Sequence, residues 1–241
     1  MLPAFIGIGG QRCGSTWVFQ ALKEHPAIQT AKEKEIHFFS YYYHFGFDWY
    51  LKQFGKQKND KIFGEFSTSY LYDNQVPKRV IDYNPNIKVI ICLRNPIERA
   101  LSHHRHEIQG NRLSKKKWAF DQAIVNNPSY LEYGLYSDAL KYWLEFFSLD
   151  HIHVVLFDNI INSPEKVVES LYEFLGIDSS YKPSIFNKKI NQSLIPLSTA
   201  FSNFQRSTTK TVRNLGLGSL VEFGKNIGLK RAIQIINSND S

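Results

Sequence analysis

The sequence predicts an α/β fold of the doubly wound type, in which a central, mostly parallel sheet is flanked by helices. Two observations predict it. First, the apolar runs bounded by turn residues are continuous rather than alternating, which is typical of strands covered on both faces. These runs lie at Phe5 to Ile8, Ile62 to Phe66, Ile87 to Leu93 and Ile152 to Phe157. Second, helical segments fall between the strands, and this alternation favours a parallel sheet.

Six segments have helical spacing or helix-boundary residues. They are Ser15 to Glu24, Asp48 to Phe54, Val76 to Tyr83, Pro96 to Ile108, Leu135 to Phe147 and the segment after Ser163. The last is delimited best, because Ser163 can cap it, Pro164 suits the first helical position and Gly176 suits the stop. The polar stretch from Asn187 to Lys210 predicts a long loop or lid.

Length and composition set the class of protein. The 241 residues, 43% of them hydrophobic, can bury one large core, so we expect a single domain over residues 1–241. The two cysteines, Cys13 and Cys92, form no disulfide framework or metal knuckle, which favours a reducing compartment and predicts no metal. Without a basic leader or an apolar run of about 18 residues, the sequence predicts a soluble, cytoplasmic protein with no membrane span.

The positive charge is concentrated near the end of the chain. Nine basic residues stand against two acidic ones from Lys182 onward, which accounts for the whole net charge of +7. Such a region can attract an anionic substrate, a nucleotide, nucleic acid or a membrane surface. It can equally be a solvated tail that keeps the protein soluble.

The stretch "GGQRCGST" after the first strand has the form of an anion-binding loop. The backbone amides between Gly10 and Thr16, the start of the helix near Ser15 and the hydroxyls of Ser15 and Thr16 can all donate to an anion, and Arg12 adds a positive charge. The alternative is a glycine turn that only lets the helix pack on the strand. The lysine that nucleotide-hydrolysing loops place after the second glycine is absent, because Ser15 follows Gly14.

A second candidate stretch is "VIICLRNPIERALSHH". Asn95 can cap the helix, Pro96 suits its first turn and Glu98 stands where a capping-box carboxylate would. That leaves Arg94, at the carboxyl end of a strand where open α/β sheets bind ligands, and Ser102 within the helix. We expect Arg94 to hold a second phosphate.

The third stretch is "KEKEIHFFSYYYHFGFDWY". In an extended segment the alternate residues Glu35 and His37 project to the same side, where either can take a proton from an attacking group. The alternative is that Lys32 to Glu35 is a solvated charge run. The aromatic residues that follow can be core or a stacking wall for a sugar ring or base.

These stretches in this order resemble the sulfotransferases that use 3′-phosphoadenosine 5′-phosphosulfate (PAPS). Within that family the chain is similar to the heparan sulfate N- and 3-O-sulfotransferase branch and its bacterial relatives. The resemblance is carried by "QRCGSTWVFQALKEHP", "KEKEIHFF", "GEFSTSYL", "ICLRNPIERALSHHRHE" and "IHVVLFDNIINSPEKVVESLYEFLGI", and covers residues 5–177. Residues 178–241 diverge from it.

The resemblance implies a P-loop-like, three-layer fold and assigns roles by position. Arg12, Cys13, Gly14, Ser15 and Thr16 correspond to the loop around the 5′-phosphosulfate, and Arg94 and Ser102 to the 3′-phosphate site. Glu35 corresponds to the general base, and His37 to an accessory in the acceptor pocket. Lys188 and Lys189 are candidates for the basic loop that closes over the nucleotide.

The implied reaction is transfer of a sulfuryl group from PAPS, without a metal, to a saccharide, a lipid or a small metabolite. No nucleic acid partner is expected. The sequence departs from the family at Arg12, where a lysine is usual, and at Phe66, where the heparan branch often has a lysine. A P-loop kinase or NTPase and a catalytically inactive nucleotide-binding module remain as alternatives.

Overall fold

A computed structural model describes residues 2–56, 58–110 and 119–187 of the protein. Within them the chain forms one five-stranded sheet in which every neighbouring pair is parallel, in the order β2-β3-β1-β4-β5. The strands are β1 (Phe5–Gly7), β2 (Ile28–Thr30), β3 (Ile62–Phe66), β4 (Lys88–Leu93) and β5 (Ile152–Leu156).

Helices follow the strands along the described part of the chain. They are α1 (Ser15–Glu24), α2 (Gly46–Lys52), α3 (Val76–Tyr83), α4 (Pro96–Gln109), α5 (Phe120–Asn126), α6 (Ser129–Glu132), α7 (Tyr136–Leu144), α8 (Phe157–Asn162) and α9 (Pro164–Leu175). No helix among these residues is long and apolar enough to cross a membrane.

Apolar side chains cover both faces of the central strands. In β4, Ile90 and Cys92 join the core formed with α1, α8 and α9, whereas Val89 and Ile91 join the core formed with α2, α3 and α7. Successive strand residues point to opposite faces, so a continuous apolar run supplies both cores. The α/β fold predicted from the sequence is therefore confirmed, with two helical layers around a parallel sheet.

Most predicted elements agree with the structure. Helices α1 and α3 and strand β3 have the predicted bounds, and α9 begins after Ser163 and ends at Gly176, which has a left-handed backbone. The sequence reading missed β2, which is only three residues long and polar at its centre. It also missed α5, α6 and α8, which have at most seven residues and too little apolar periodicity to be recognised.

One expectation about the strands was wrong. β5 was predicted to be covered on both faces, but it is an edge strand in which Val154 is 45% and Leu156 47% exposed. A continuous apolar run therefore does not distinguish a central strand from an edge strand.

The chain divides into two compact units, one of residues 1–100 and 131–190 and the other of residues 101–130 and 191–241. The first unit contains the whole sheet. In the second, His104 hydrogen-bonds to Tyr130 through Nδ1 (3.3 Å), and the ring of His103 stacks on Tyr130 with centroids 4.6 Å apart. Of the loop or lid predicted from Asn187 to Lys210, Asn187 ends a short 3₁₀ helix (Ser184–Asn187), and the other residues lie outside the described part of the chain.

Candidate active site

The glycine loop joins the end of β1 to the start of α1. Gly10 donates its backbone N–H to the carbonyl of Cys92 on β4 (2.8 Å), which anchors the loop above two adjacent strands. Gly14 caps α1 with a left-handed backbone (φ 88°), and its carbonyl accepts the N–H groups of Trp17 and Val18. Gly14 has no side chain with which to cap this end of the helix.

The donors of this loop fit an anionic oxygen. The first N–H groups of a helix have no acceptor within the helix, and together with its dipole they favour negative charge. Here those groups belong to Ser15 and Thr16. The side chain of Ser15 is buried and that of Thr16 is exposed. The residues present are therefore chemically suited to a phosphate or phosphosulfate group.

Cys13 lies inside the loop rather than on its ligand-facing surface. Its side chain is fully buried, its N–H donates to the carbonyl of Gly10 (3.2 Å), and its sulfur lies 3.5 Å from the hydroxyl of Tyr136. Burial raises the pKa of the Cys13 thiol to about 11, although Tyr136, Arg99, Arg94 and Arg12 oppose the rise. Cys13 therefore shapes the loop as a neutral thiol.

Arg94 follows β4 and lies against the same loop. Its guanidinium is stacked over the ring of Phe157, 4.0 Å from the centroid, and pairs with Glu98 (3.1 Å). A Cβ on Gly14 would lie 3.0 Å from the ring of Phe157, so this ring borders both the loop and Arg94. Tyr136 adds a second link, because its hydroxyl donates to the Arg94 carbonyl (2.9 Å).

The start of α4 only partly follows the prediction. Asn95 caps the helix as expected, since its Oδ1 accepts the N–H groups of Ile97 (3.0 Å) and Glu98 (3.3 Å). The carboxylate of Glu98, expected to complete a capping box, instead accepts two hydrogen bonds from Arg94. Glu98 therefore orients the guanidinium that the sequence assigned to a phosphate.

Two other sequence assignments do not lie among the described residues of the first unit. Ser102 lies in α4 beyond Ala100, in the second unit, and is half-buried. Lys188 and Lys189 lie outside the described residues. Their roles remain predictions.

Glu35 and His37 lie side by side after β2. The Nε2 atom of His37 is 3.4 Å from Oε2 of Glu35, and that oxygen also accepts the hydroxyl of Thr68 (2.9 Å). Oε1 of Glu35 accepts Nζ of Lys34 (2.8 Å), and Nδ1 of His37 is hydrogen-bonded to Ser69 (2.8 Å). The two side chains are therefore brought together, as the sequence predicts.

The predicted reason for this arrangement was wrong, because the segment is not extended. Glu35 and His37 have left-handed backbones, with φ 69° and 56°, and the buried Ile36 stands between them. Arg12 has φ 71°, and among the described residues these three are the non-glycine residues with positive φ. Such conformations cost about 1 to 3 kcal/mol each and cluster at functional sites. The three candidate catalytic residues of the sequence are therefore the strained ones.

Electrostatics keep Glu35 ionised despite its partial burial. Burial raises the pKa of its carboxyl, but the charge and hydrogen bond of Lys34, together with His37 and Thr68, more than offset this and lower the pKa. A carboxylate ready to accept a proton fits the role of general base.

The aromatic residues after His37 divide between core and surface. Phe38, Phe39 and Tyr50 are fully buried, whereas Tyr41 is 63% exposed and its ring centroid lies 5.2 Å from that of His37. The exposed aromatic patch, defined here as Tyr41, Tyr42, Phe45 and Trp49, continues from there, with Tyr42 stacked on Phe45 at 5.7 Å between ring centroids. Tyr41 and Phe45 are its exposed members, and Tyr42 and Trp49 are half-buried. The core alternative therefore holds for the buried rings, and a stacking wall formed by the exposed ones stays a prediction.

Phe66, where a lysine is usual in the heparan branch, contributes no cation to the surface. Its side chain is fully buried against Phe19 and Gly7. Two further residues matter here. Arg99, which the sequence places only on a helix face similar to that of Ser102, is a fully buried cation whose charge acts on Cys13. Phe157, which sequence reasoning did not assign to the site, is the ring beneath Arg94. The sequence offers an indication for Arg99, because this charged residue stands among apolar helix positions. For Phe157 the sequence offers only its place at the end of a strand.

The candidate residues in the first unit converge because of the sheet topology. The Glu35 loop follows β2, Ser67 to Ser69 follow β3, the glycine loop follows β1, and Arg94 follows β4. These are four adjacent parallel strands, and their carboxyl ends form the edge at which open α/β sheets bind ligands. Residues far apart in sequence therefore meet at one edge.

Comparisons with known proteins agree with this geometry. The family model described as "Sulfotransferase domain" matches residues 3–214. Human heparan sulfate glucosamine 3-O-sulfotransferase 5 is 30% identical over 187 residues, which cover 73% of this chain and 54% of that protein. The membrane-associated sulfotransferase kil1 of Dictyostelium discoideum is 26% identical, covering 73% and 56%. The chain thus spans about half the length of these curated relatives.

Among solved structures, a sulfotransferase from Alicyclobacillus acidocaldarius superposes with a TM-score of 0.71. The match has 23% identity and covers 92% of this chain and 96% of that one, which shows a shared fold. The family match extends over most of the sequence and includes every candidate residue described above. The chain belongs to the sulfotransferase domain family.

Proposed function

We propose that this chain transfers the sulfuryl group of PAPS to a hydroxyl or amine of an acceptor. The observation that carries the proposal is the convergence of the glycine loop, Arg94 and the Glu35–His37 pair at the carboxyl ends of four adjacent strands. An anion-binding loop, a second cation and an ionised carboxylate are the groups that this transfer needs.

The residues that would hold the donor divide into two sets. Arg12, Gly14, Ser15 and Thr16 would surround the 5′-phosphosulfate, and Arg94 with Ser102 would bind the 3′-phosphate. Lys188 and Lys189 would close over the nucleotide. When bound, PAPS supplies an electrophilic sulfur, whose bond to the 5′-phosphate oxygen breaks as the acceptor oxygen or nitrogen bonds to it.

Glu35 acts as the general base and takes the proton that the acceptor loses. Its carboxylate has lone pairs beyond those that Lys34 and Thr68 occupy. Arg12 and the N–H groups at the start of α1 stabilise the negative charge that grows on the departing phosphate oxygen. His37 lies against the base and orients it toward the acceptor.

The acceptor is a neutral saccharide or an amphipathic molecule that stacks on the exposed aromatic patch. Support comes from Tyr41, whose exposed ring contacts His37, and from Phe66, which leaves no surface cation where the heparan branch has one. Aromatic faces bind apolar ring faces without requiring charge. We expect Tyr41→Ala to raise KM for the acceptor and to leave KM for PAPS near the wild-type value. Tyr41→Phe, which keeps the ring, should leave both constants near their wild-type values.

The first test is ligand stabilisation. Adenosine 3′,5′-bisphosphate without magnesium should raise the melting temperature, by an amount that grows with the logarithm of its concentration above Kd. Stabilisation by ATP with magnesium and not by the bisphosphate would instead identify a kinase or NTPase.

The second test is sulfate transfer to a panel of acceptors. Removing one charge-stabilising donor typically costs about 2.7 to 4 kcal/mol, so Arg12→Ala should lower kcat by about 100- to 1000-fold. Lys23→Ala, which removes an exposed cation from α1, is its control. Glu35→Gln should abolish most transfer while Glu33→Gln retains it. Binding of the bisphosphate without transfer to any acceptor would support the inactive nucleotide-binding module.

A further inference from the structure

A fully buried carboxylate lies beneath the base loop, defined here as residues 34–39, and the proposed reaction does not use it. Glu65, in β3, is 0% exposed. Its Oε2 accepts the hydroxyl of Ser67 (2.7 Å), and its Oε1 accepts the hydroxyl of Tyr70 (2.6 Å). A buried carboxylate is unfavourable unless its oxygens are hydrogen-bonded, so when Glu65 is ionised both hydroxyls point their protons at it.

The same two hydroxyls hold the backbone of the base loop. Ser67 Oγ accepts the N–H of His37 (2.9 Å), and the Tyr70 hydroxyl accepts the N–H of Phe39 (3.2 Å). A hydroxyl has one proton and two lone pairs. Because each proton is committed to Glu65, the lone pairs are turned toward the loop, and one carboxylate fixes the orientation of both acceptors.

The segment held in this way is the strained one. Glu35 and His37 have positive φ, and strained backbone persists only where its surroundings over-determine it. A backbone hydrogen bond from the N–H of Glu35 to the carbonyl of Phe66 (2.8 Å) fixes one end of the segment. The hydroxyls of Ser67 and Tyr70, oriented by Glu65, fix the other end. With both ends fixed, Nε2 of His37 stays beside the Glu35 carboxylate.

We propose that Glu65 is a positioning residue, which orients the hydroxyls of Ser67 and Tyr70 so that they hold the His37–Phe39 backbone and keep the Glu35–His37 pair in its reactive arrangement. This inference rests on the proposed function only for its effect on catalysis. The structural part, that Glu65 controls the order of the loop, stands independently of any activity.

The charge state of Glu65 matters for this role. Burial raises its pKa to about 7; the hydrogen bonds of Tyr70 and Ser67 oppose the rise, Glu35 adds to it and Lys34 lowers it. Tyr50 and Tyr70 are the other titratable groups facing it, and Glu65 raises the pKa of both beyond what burial alone does. A protonated Glu65 would donate rather than accept at one oxygen, which would release one hydroxyl from its fixed orientation.

The fold supplies a matched pair of variants. Tyr70→Phe removes the hydroxyl that links Glu65 to the loop. Tyr50→Phe removes an equally buried hydroxyl that has no hydrogen-bond partner in the described structure. Glu65→Gln keeps the shape but presents an amide to one hydroxyl, and Ser67→Ala removes the link to His37. The milder variants remain informative if Glu65→Gln does not fold.

The test combines amide hydrogen exchange with kinetics on the full chain. We expect faster exchange of the His37 amide in Glu65→Gln and Ser67→Ala, and of the Phe39 amide in Tyr70→Phe, with no change in Tyr50→Phe. We also expect kcat to fall about 10- to 100-fold in the first three variants, as small misplacements of reacting groups cause. Affinity for adenosine 3′,5′-bisphosphate and KM for PAPS should stay within about twofold of wild type.

The outcomes separate this inference from the proposed function. Unchanged exchange at His37 and Phe39 in folded variants, or an equal effect of Tyr50→Phe, would overturn it. Altered exchange in a protein whose wild type transfers no sulfate would refute the proposed reaction and leave the role of Glu65 in the loop intact. Altered exchange with unchanged kcat would refute its catalytic consequence.

Discussion

Replacing Gly14 by alanine tests whether the glycine loop is shaped as the structure describes. Gly14 has φ 88°, where an L-residue is disfavoured by about 1 to 2 kcal/mol. An added Cβ would also lie 2.8 Å from Cδ1 of Ile160 and 3.0 Å from the ring of Phe157. Ile160 is 2% exposed, so it cannot move without disturbing the core. Overpacking of this kind typically costs a further 1 to 3 kcal/mol or so.

Gly176→Ala isolates the backbone part of this effect. Gly176 ends α9 with φ 74°, and a Cβ there would meet nothing within 4 Å. The control should therefore lose about 1 to 2 kcal/mol and Gly14→Ala about 2 to 5 kcal/mol. For a chain of this size, each kcal/mol lowers the melting temperature by about 2 to 4 °C.

The assay is urea unfolding of both variants together with calorimetric titration of adenosine 3′,5′-bisphosphate. The guanidinium of Arg94 is stacked on the ring of Phe157, so displacement of that ring in Gly14→Ala should weaken bisphosphate binding. Gly176→Ala should bind the bisphosphate as the wild type does. Equal destabilisation by the two substitutions would refute the contact with Ile160 and Phe157. Wild-type affinity in a destabilised Gly14→Ala would refute the coupling of the loop to Arg94.

Three more outcomes follow from the site. Lys34→Met should raise the pKa of Glu35, because burial then acts without the opposing charge. The acid limb of the kcat/KM profile should therefore move to higher pH. The control Lys32→Met, which replaces an exposed lysine, should leave that limb in place. Cys13 should resist alkylation at pH 8 in the folded protein and react after denaturation, since its thiol pKa is raised to about 11; rapid alkylation of native protein would contradict its burial. Phe66→Lys, the residue usual in the heparan branch, should destabilise the fold by about 3 to 5 kcal/mol or more in urea, and a stable variant would contradict the packing of that position.

The sequence predicts this fold well where the pattern is local. The apolar run of β4 supplies two cores, and the Ser163, Pro164 and Gly176 signals delimit α9 because capping depends on neighbouring residues. The same logic fails for β2, which is held by pairing with β3, a partner more than 30 residues away. A three-residue strand carries too little pattern to be seen without its partner.

The candidate site shows a similar division. The pairing of Glu35 with His37 was predicted, but from an extended backbone, whereas the structure reaches it through two left-handed residues. No propensity of glutamate or histidine indicates that conformation. It is imposed by the hydroxyls that follow β3, and those depend on the buried Glu65, whose importance appears only when its partners are brought together.

The order of the strands separates the two sides of the proposed site. Arg94 and the glycine loop follow β4 and β1 in the middle of the sheet, where each strand has neighbours on both sides. The base loop follows β2 at the margin, and the exposed aromatic patch lies beyond it. Under the proposed function, substitutions in that patch would change the acceptor side without altering β1 and β4, which position the donor side. New acceptors would then arise from changes in the patch alone, while the donor chemistry is kept.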